Sequence, residues 1–170
     1  MIIGIDNGKT GGLVALSPIA GCAPVAMRRM PLKDGKVDVV ELRTWLRSLW
    51  TGKDEVLIAL EQCPDHADRV STMRSMASTH GRIEATVELL AASMSVPVTL
   101  RSVRSGNALD SWQRKMLGKV PKGQTKVAAL EAAKAIWPQE SWIPPGCYTP
   151  HDGIIDAALI AEFCRRNPTI

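Results

Sequence analysis

Two acidic residues stand where an apolar run ends. Asp6 follows Ile2-Ile3-Gly4-Ile5, and Glu61 follows Val56-Leu57-Ile58-Ala59-Leu60. Open α/β sheets gather their ligands at the carboxyl ends of strands. If these two strands are parallel neighbours, both carboxylates emerge at one edge and repel, and a cation between them would relieve the repulsion. Oxygen-only ligation of that kind suits Mg2+. Taken singly, each has a plainer explanation: Asp6 caps its own turn, and Glu61 is a solvated strand end. A second acidic pair shifts the balance. In His151-Asp152-Gly153-Ile154-Ile155-Asp156 the two aspartates are four apart, which puts them on one helix face a turn apart. Like charges at that spacing weaken a bare helix, and this points to a compensating cation. Thr149-Pro150-His151-Asp152 also reads as a capping box with proline at the first helical position, which accounts for Asp152 without chemistry. It leaves Asp156 unexplained among Ile154, Ile155, Ala157, Leu159 and Ile160. No Ser-His-Asp or Cys-His set offers a covalent nucleophile. Cys63 and His66 have C-x-x-H spacing without a second ligand pair at zinc-finger distance, so no zinc site is expected.

The elements that must hold these acids can be read from the apolar pattern. Ile2–Asp6 and Leu13–Leu16 flank Asn7-Gly8-Lys9-Thr10-Gly11-Gly12 as a hairpin, and Pro24–Met30 supplies a third strand closed by Asp34-Gly35. Asp38 followed by Glu41 marks a helix start. Val39, Leu42, Leu46 and Leu49 carry the helix to a stop near Gly52. The unbroken apolar run from Glu55 to Leu60 is a strand buried on both faces. A long helix from about Arg69 to Met94 and a fifth strand over Pro97–Val103 follow. Helical stretches then cover Ala108–Leu117, Thr125–Ile136 and Thr149 to Arg166, with Pro121–Gly123 as a link. The expected fold class is α/β, a five-stranded mixed sheet flanked by helices.

Composition sets the bounds. The chain has 170 residues, 45% hydrophobic and 22% charged, as in one globular domain. No apolar run is long enough to span a bilayer, and Met1-Ile2-Ile3 lacks a basic leader, so neither membrane anchoring nor secretion is expected. Cys22, Cys63, Cys147 and Cys164 are scattered and read as reduced thiols of a cytoplasmic protein. The net charge of +4 permits a polyanionic partner without demonstrating one.

Taken together, the pieces resemble the RuvC-type Holliday junction resolvases of the RNase H-like superfamily, particularly small phage-encoded members. Ile3-Gly4-Ile5-Asp6-Asn7-Gly8 with its glycine hairpin, Leu60-Glu61-Gln62, and His151-Asp152 through Asp156-Ala157-Ala158-Leu159-Ile160-Ala161 occur in the family order and span the chain. The resemblance implies a single nuclease domain over residues 1–170, with Asp6, Glu61, Asp152 and Asp156 as catalytic metal ligands. It further implies Mg2+, or Mn2+ in its place, as cofactor and branched DNA, a four-way junction, as substrate. A homodimer would cut the two strands, in the host cytoplasm if the chain is phage-encoded. Two-metal hydrolysis fits these groups: carboxylates fix ions that activate a water and stabilise the leaving 3′ oxygen. Many bacterial members space the last two ligands three apart. The spacing of four seen here is similar to mitochondrial and poxviral relatives, with His151 as second-choice ligand or acid. Bacterial members carry an aromatic wedge three residues past the glutamate, and here that position is Pro64.

Without the four ligand acids, the remaining members of the 17 acidic residues face 21 basic ones, so the rest of the surface is distinctly basic. Lys119, Lys122 and Lys126 bracket a loop suited to gripping phosphates, among neighbours Arg101, Arg104, Arg114 and Lys115. Arg69, Arg74 and Arg82 punctuate the long helix, and of these Arg69 and Arg74 are taken as DNA contacts. Any one of these charges is equally explained as a solvated side chain. Trp112 and Trp142 are candidates for stacking on bases, whereas Trp45, Trp50 and Trp137 are assigned to the core. Met73, Met76, Met94 and Leu89-Leu90 mark a helix face for the core or a subunit contact. Two rival readings stand beside the nuclease. One is an actin-like or sugar-kinase-type phosphotransferase, suggested by Asp6-Asn7-Gly8-Lys9-Thr10, which would need a second lobe. The other is a non-catalytic DNA-binding module.

Overall fold

The computed structural model describes residues 1–50, 55–63 and 70–168. Strand β1 (Ile2–Ile5) runs antiparallel to β2 (Gly12–Leu16), which pairs antiparallel with β3 (Ala26–Arg29). A small separate hairpin, β4 (Leu32–Lys33) and β5 (Lys36–Val37), turns through Asp34 and Gly35, both at positive φ (52° and 69°). That conformation is the one an Asp-Gly pair adopts in a two-residue hairpin turn. Helix α1 (Val39–Ser48) comes next, then β6 (Val56–Glu61), parallel to β1 on its free side. Helix α2 (Val70–Ala92) leads to β7 (Val98–Val103), parallel to β6. The sheet order is therefore β3-β2-β1-β6-β7, a five-stranded mixed sheet. Helices α3 (Trp112–Leu117), α4 (Thr125–Ile136) and α5 (Asp152–Arg166) complete the described elements. No helix among them is long and apolar enough to cross a membrane.

The two-residue period of the strands divides the core. Ile3, Ile5, Leu13, Ala15, Ile58 and Leu60 face α1 and α2, where Leu42, Leu46, Ile83, Val87 and Leu90 meet them. Ile2, Val14, Leu16 and Ala59 face the other way, onto α5 with Trp112, Ala133 and Trp137 beyond it. Helix α5 is thus a middle layer, between the sheet and α3 and α4, and it is buried continuously along one stretch from Gly153 to Cys164 except at Asp156. A helix enclosed in this way is apolar nearly all round.

Its backbone lies directly on the sheet. A methyl group at Gly4 would stand 2.0 Å from the Ala157 carbonyl oxygen and 2.7 Å from the Ala161 nitrogen. One at Gly153 would stand 2.5 Å from both the Gly11 Cα and the Thr10 carbonyl oxygen, and Gly11 and Gly153 form a β-bridge. Only hydrogen fits at either position.

Several boundaries differ from the sequence expectation. Asp38 caps α1 as expected, its carboxylate accepting from the Val40 and Glu41 N–H groups, but α1 ends at Ser48 and Leu49 closes it, with Gly52 outside the described residues. Glu41 does not return the capping bond: the Asp38 N–H donates to the Pro31 carbonyl, and Glu41 pairs with Arg28. Helix α3 starts at Trp112 rather than Ala108, because Ser111 caps it through the Arg114 N–H. The last helix starts at Asp152, not at Pro150, and its cap is His151, whose Nδ1 accepts from the Ile154 N–H at 3.3 Å.

Gly153→Ala tests the close approach. Although alanine favours helix, forced separation of α5 from the Thr10–Gly11 backbone should cost about 2 kcal/mol or more, read as a lower urea midpoint. An unchanged midpoint would mean that the contact has slack.

Candidate active site

Asp6 leaves the end of β1 into a tight turn. Its backbone N–H donates to the Gly12 carbonyl at 3.1 Å, and its Oδ1 accepts from the Gly8 N–H at 3.0 Å. The parallel register pairs Ile5 with Leu60, so Asp6 and Glu61 leave adjacent strands side by side. Asn7, fully buried, ties the two strand ends: its side-chain amide donates to the Glu61 carbonyl at 2.8 Å. His80 of α2 reaches the same carbonyl through Nδ1 at 3.1 Å. The Glu61 carboxylate accepts from the Trp112 indole N–H at 3.1 Å. The contact of α5 with β1 and β2 then brings Asp152 and Asp156 to this edge.

The electrostatics record the gathering. The Glu61 carboxyl is pushed up to about 8, first by burial and then by the charge of Asp6, with Asp156 adding to it and the Trp112 bond opposing. Burial also raises Asp156, to about 7, with the charges of Asp6 and Asp152 behind it and Lys126 opposing. Asp6 is raised by burial too, against the Gly8 N–H, the Glu61 side chain and the charge of His151. Glu61 thus feels the charges of Asp6 and Asp156, and Asp156 feels those of Asp6 and Asp152, so the four predicted ligands form a chain of neighbours. Among the described residues, however, no three His, Cys, Asp or Glu side chains close on one point that would hold an ion as they stand. The donor set is all carboxylate oxygen, and a cation stands against it: the Lys126 ammonium lies 2.5 Å from Asp152 Oδ2. A hard divalent cation fits these residues.

The basic residues divide. Lys119 and Lys122 are exposed and make no ion pair among the described residues, and Arg74 is exposed on α2. Arg69 lies outside the described residues, as do His66 and Pro64. Lys126 stands at the acids, at the start of α4, rather than apart from them on a phosphate-gripping loop. Arg101 is used inside the fold, donating to the carbonyls of Asn167 and Pro168. Arg82 donates to the Val37 carbonyl, and Arg104 pairs with Asp110. Neither tryptophan proposed for stacking is available: Trp112 is 0% and Trp142 3% exposed. Trp142 packs on Trp137 with ring centroids 5.7 Å apart. The roles of Trp112, Asn7 and His80 at Glu61 had no signal in the sequence, since they stand 51, 54 and 19 residues from it. At His151, burial and the charge of Arg29 hold the imidazole below its ordinary value, which suits an Nδ1 that accepts a hydrogen bond.

No family model matches the chain, and no curated protein sequence matches it. Solved structures do. The Thermus thermophilus RuvC structure superposes with a TM-score of 0.60 at 18% identity, over 99% of this chain and 96% of that one. T. thermophilus RuvC in complex with a Holliday junction substrate gives a TM-score of 0.59 at 16% identity, over 97% and 94%. The chain therefore has the fold of RuvC, and its mixed sheet flanked by helices is the RNase H-like architecture expected from the sequence.

Burying these carboxyls, and setting them beside one another, has a measurable cost. Because the Glu61 carboxyl is raised to about 8 in the folded chain from an ordinary 4.5, the folded state holds a proton that the unfolded state has released between those values. Stability should thus fall as pH rises through that window. Glu61→Gln removes this loss and keeps an acceptor for Trp112. In a chelator, its advantage should be small at pH 4.5, grow to pH 8 and level off at about 1 kcal/mol or more, a Tm gain of about 2–4 °C. A variant no more stable than the parent at pH 8.5 would show that the acids do not strain the fold.

Proposed function

We propose that the chain is a metal-dependent endodeoxyribonuclease that resolves four-way junctions or other branched DNA, one nuclease domain spanning residues 1–170. The observation that supports this reading is the coupling of Glu61 to Asp6 and Asp156, and of Asp156 to Asp152, beside the adjacent ends of two parallel strands in a RuvC fold. The solved RuvC bound to a Holliday junction supports branched DNA as the substrate class.

Asp6, Glu61, Asp152 and Asp156 would hold Mg2+, or Mn2+ in its place, which when bound lowers the pKa of an attacking water and stabilises the leaving 3′ oxygen. The protein's own groups prepare the site. Gly8 orients Asp6, and Trp112 orients Glu61. Asn7 keeps the two strand ends in step. Lys126 offsets the charge of Asp152 and offers a cation beside a scissile phosphate. His151 uses Nδ1 as the helix cap, which leaves Asp152 as the better ligand. Lys119, Lys122 and Arg74, with Arg69, supply backbone contacts to DNA. Such an enzyme works in the cytoplasm, the host's if the chain is phage-encoded.

Asp6→Asn removes a charged ligand at constant shape. It should leave the fold and junction binding intact while lowering Mg2+-dependent cleavage on the order of 10³-fold or more, the scale of losing a catalytic group. Cleavage at the parent rate would sink the assignment.

Two strands of a junction are cut at symmetry-related points, which calls for two active sites in a C2 homodimer. Helix α2 is the candidate contact: Val70, Met73 and Leu89 are 66%, 38% and 71% exposed at separate points around it, while Leu90 is buried and Met94 packs against the core. Light scattering at micromolar concentration with junction DNA present should give the mass of two copies. A strictly monomeric complex would count heavily against resolution of junctions.

A further inference from the structure

The segment between α4 and α5 closes on itself beside the acids. The His151 N–H donates to the Trp142 carbonyl at 2.9 Å, clipping its base, and the Cys147 N–H donates to the Pro144 carbonyl at 3.0 Å. Pro144, Pro145 and Pro150 stiffen it by fixing their own φ. From this loop Tyr148, the chain's one tyrosine, stands 97% exposed, three residues before the helix cap His151. Every tryptophan is buried or half-buried, so Tyr148 is the one large aromatic face offered to solvent among the described residues.

A cation reaches the preceding residue of the loop. Arg29, the last residue of β3, places Nη1 3.9 Å from Cys147 Sγ, and its charge is felt at His151. It is exposed and pairs with no carboxylate among the described residues. Arg29 lines a groove of about 660 Å³ with Arg28, Trp45, Pro144 and Pro145, whose acids are Glu41, paired with Arg28, and Glu140. A stiff loop carrying a solvated ring, with an unpaired guanidinium at its side, is poor packing for a monomer. It suits a strand whose base faces are open, because stacking needs a free π-face and the backbone beside it needs a cation.

We propose that Arg29 and Tyr148 form a second DNA contact beside the acids, in which Arg29 holds a phosphate flanking the cut and Tyr148 stacks on an unpaired base at the branch point. The proposal rests on the nuclease reading above and names the part of the substrate that reading leaves open. Paired bases inside a duplex present no face to Tyr148, so its contribution falls on branched DNA alone.

Binding of a four-way junction carrying 2-aminopurine at the branch point, measured without divalent metal, tests both residues. Tyr148→Ala should weaken junction binding by about 5- to 100-fold, abolish quenching of the 2-aminopurine and leave the salt slope and duplex binding unchanged. Tyr148→Phe should restore quenching and affinity. Arg29→Ala should weaken binding and flatten the log–log salt slope by about 0.9. If the parent protein binds and quenches the junction and Tyr148→Ala does the same, this contact is wrong while the nuclease reading stands. If the parent protein does not prefer the junction to duplex DNA, the nuclease reading fails and this contact with it.

Discussion

Everything at the site follows from one contact, the backbone of α5 resting on the chain at Gly4 and at Gly11–Gly12 with no side chain between at those points. Gly4 and Gly153 permit it, and the Gly11–Gly153 bridge fixes where along the helix it occurs. Side chains between a helix and a sheet ordinarily hold them well apart. Removing them here lets short aspartate side chains on the helix reach the strand-end acids. The same contact makes α5 a middle layer, which in turn demands α3 and α4 to cover its outer face. The architecture of that half of the molecule is thus set by the need to bring acids from the two ends of the chain together.

The result is a fold at odds with itself when no cation is present. Glu61 and Asp156 are held near or above neutrality by burial and by each other's neighbours. Asn7, with no exposure, leaves its own Oδ1 without a partner among the described residues while tying Glu61 in place. Such features are poor for stability and good for binding a cation, since the energy of repulsion is returned when positive charge arrives. Lys126 is a partial substitute, strong enough to pair with Asp152 but exposed and on a different helix, so it can leave.

What the sequence revealed was what a single element determines. The strand-end acids, the glycine turn and the parallel pairing all follow from apolar runs with a carboxylate at the end, and the structure has them where the pattern puts them. The Asp-Gly turn was legible as a turn, but its own small hairpin was not, because strands of two residues carry no periodicity. At the start of α5 the pattern Thr-Pro-His-Asp favoured the threonine as cap. His151 takes that role because its N–H is already drawn to the Trp142 carbonyl, a tertiary bond absent from local sequence. Trp112 failed as a stacking residue for a similar reason: the space between β6 and α5 needed a large side chain with one donor for Glu61. The pairing of Lys126 with Asp152 was not legible either, because the two residues lie on different helices.

The central place of α5 also governs the order in which the molecule can be made. Of the described elements it is the last to be synthesised, yet it supplies the packing for β1 and β2, which are the first. A growing chain can pair its early strands and cover one face with α1 and α2, but the other face, with Val14 and Leu16, stays wet until the final helix emerges. Contacts between residues so far apart in sequence are slow to form, and partly built sheets with bare apolar faces adhere to one another. The arrangement has a compensating merit. Half of the acids arrive with that same helix, so no truncated or half-translated chain can assemble the complete set.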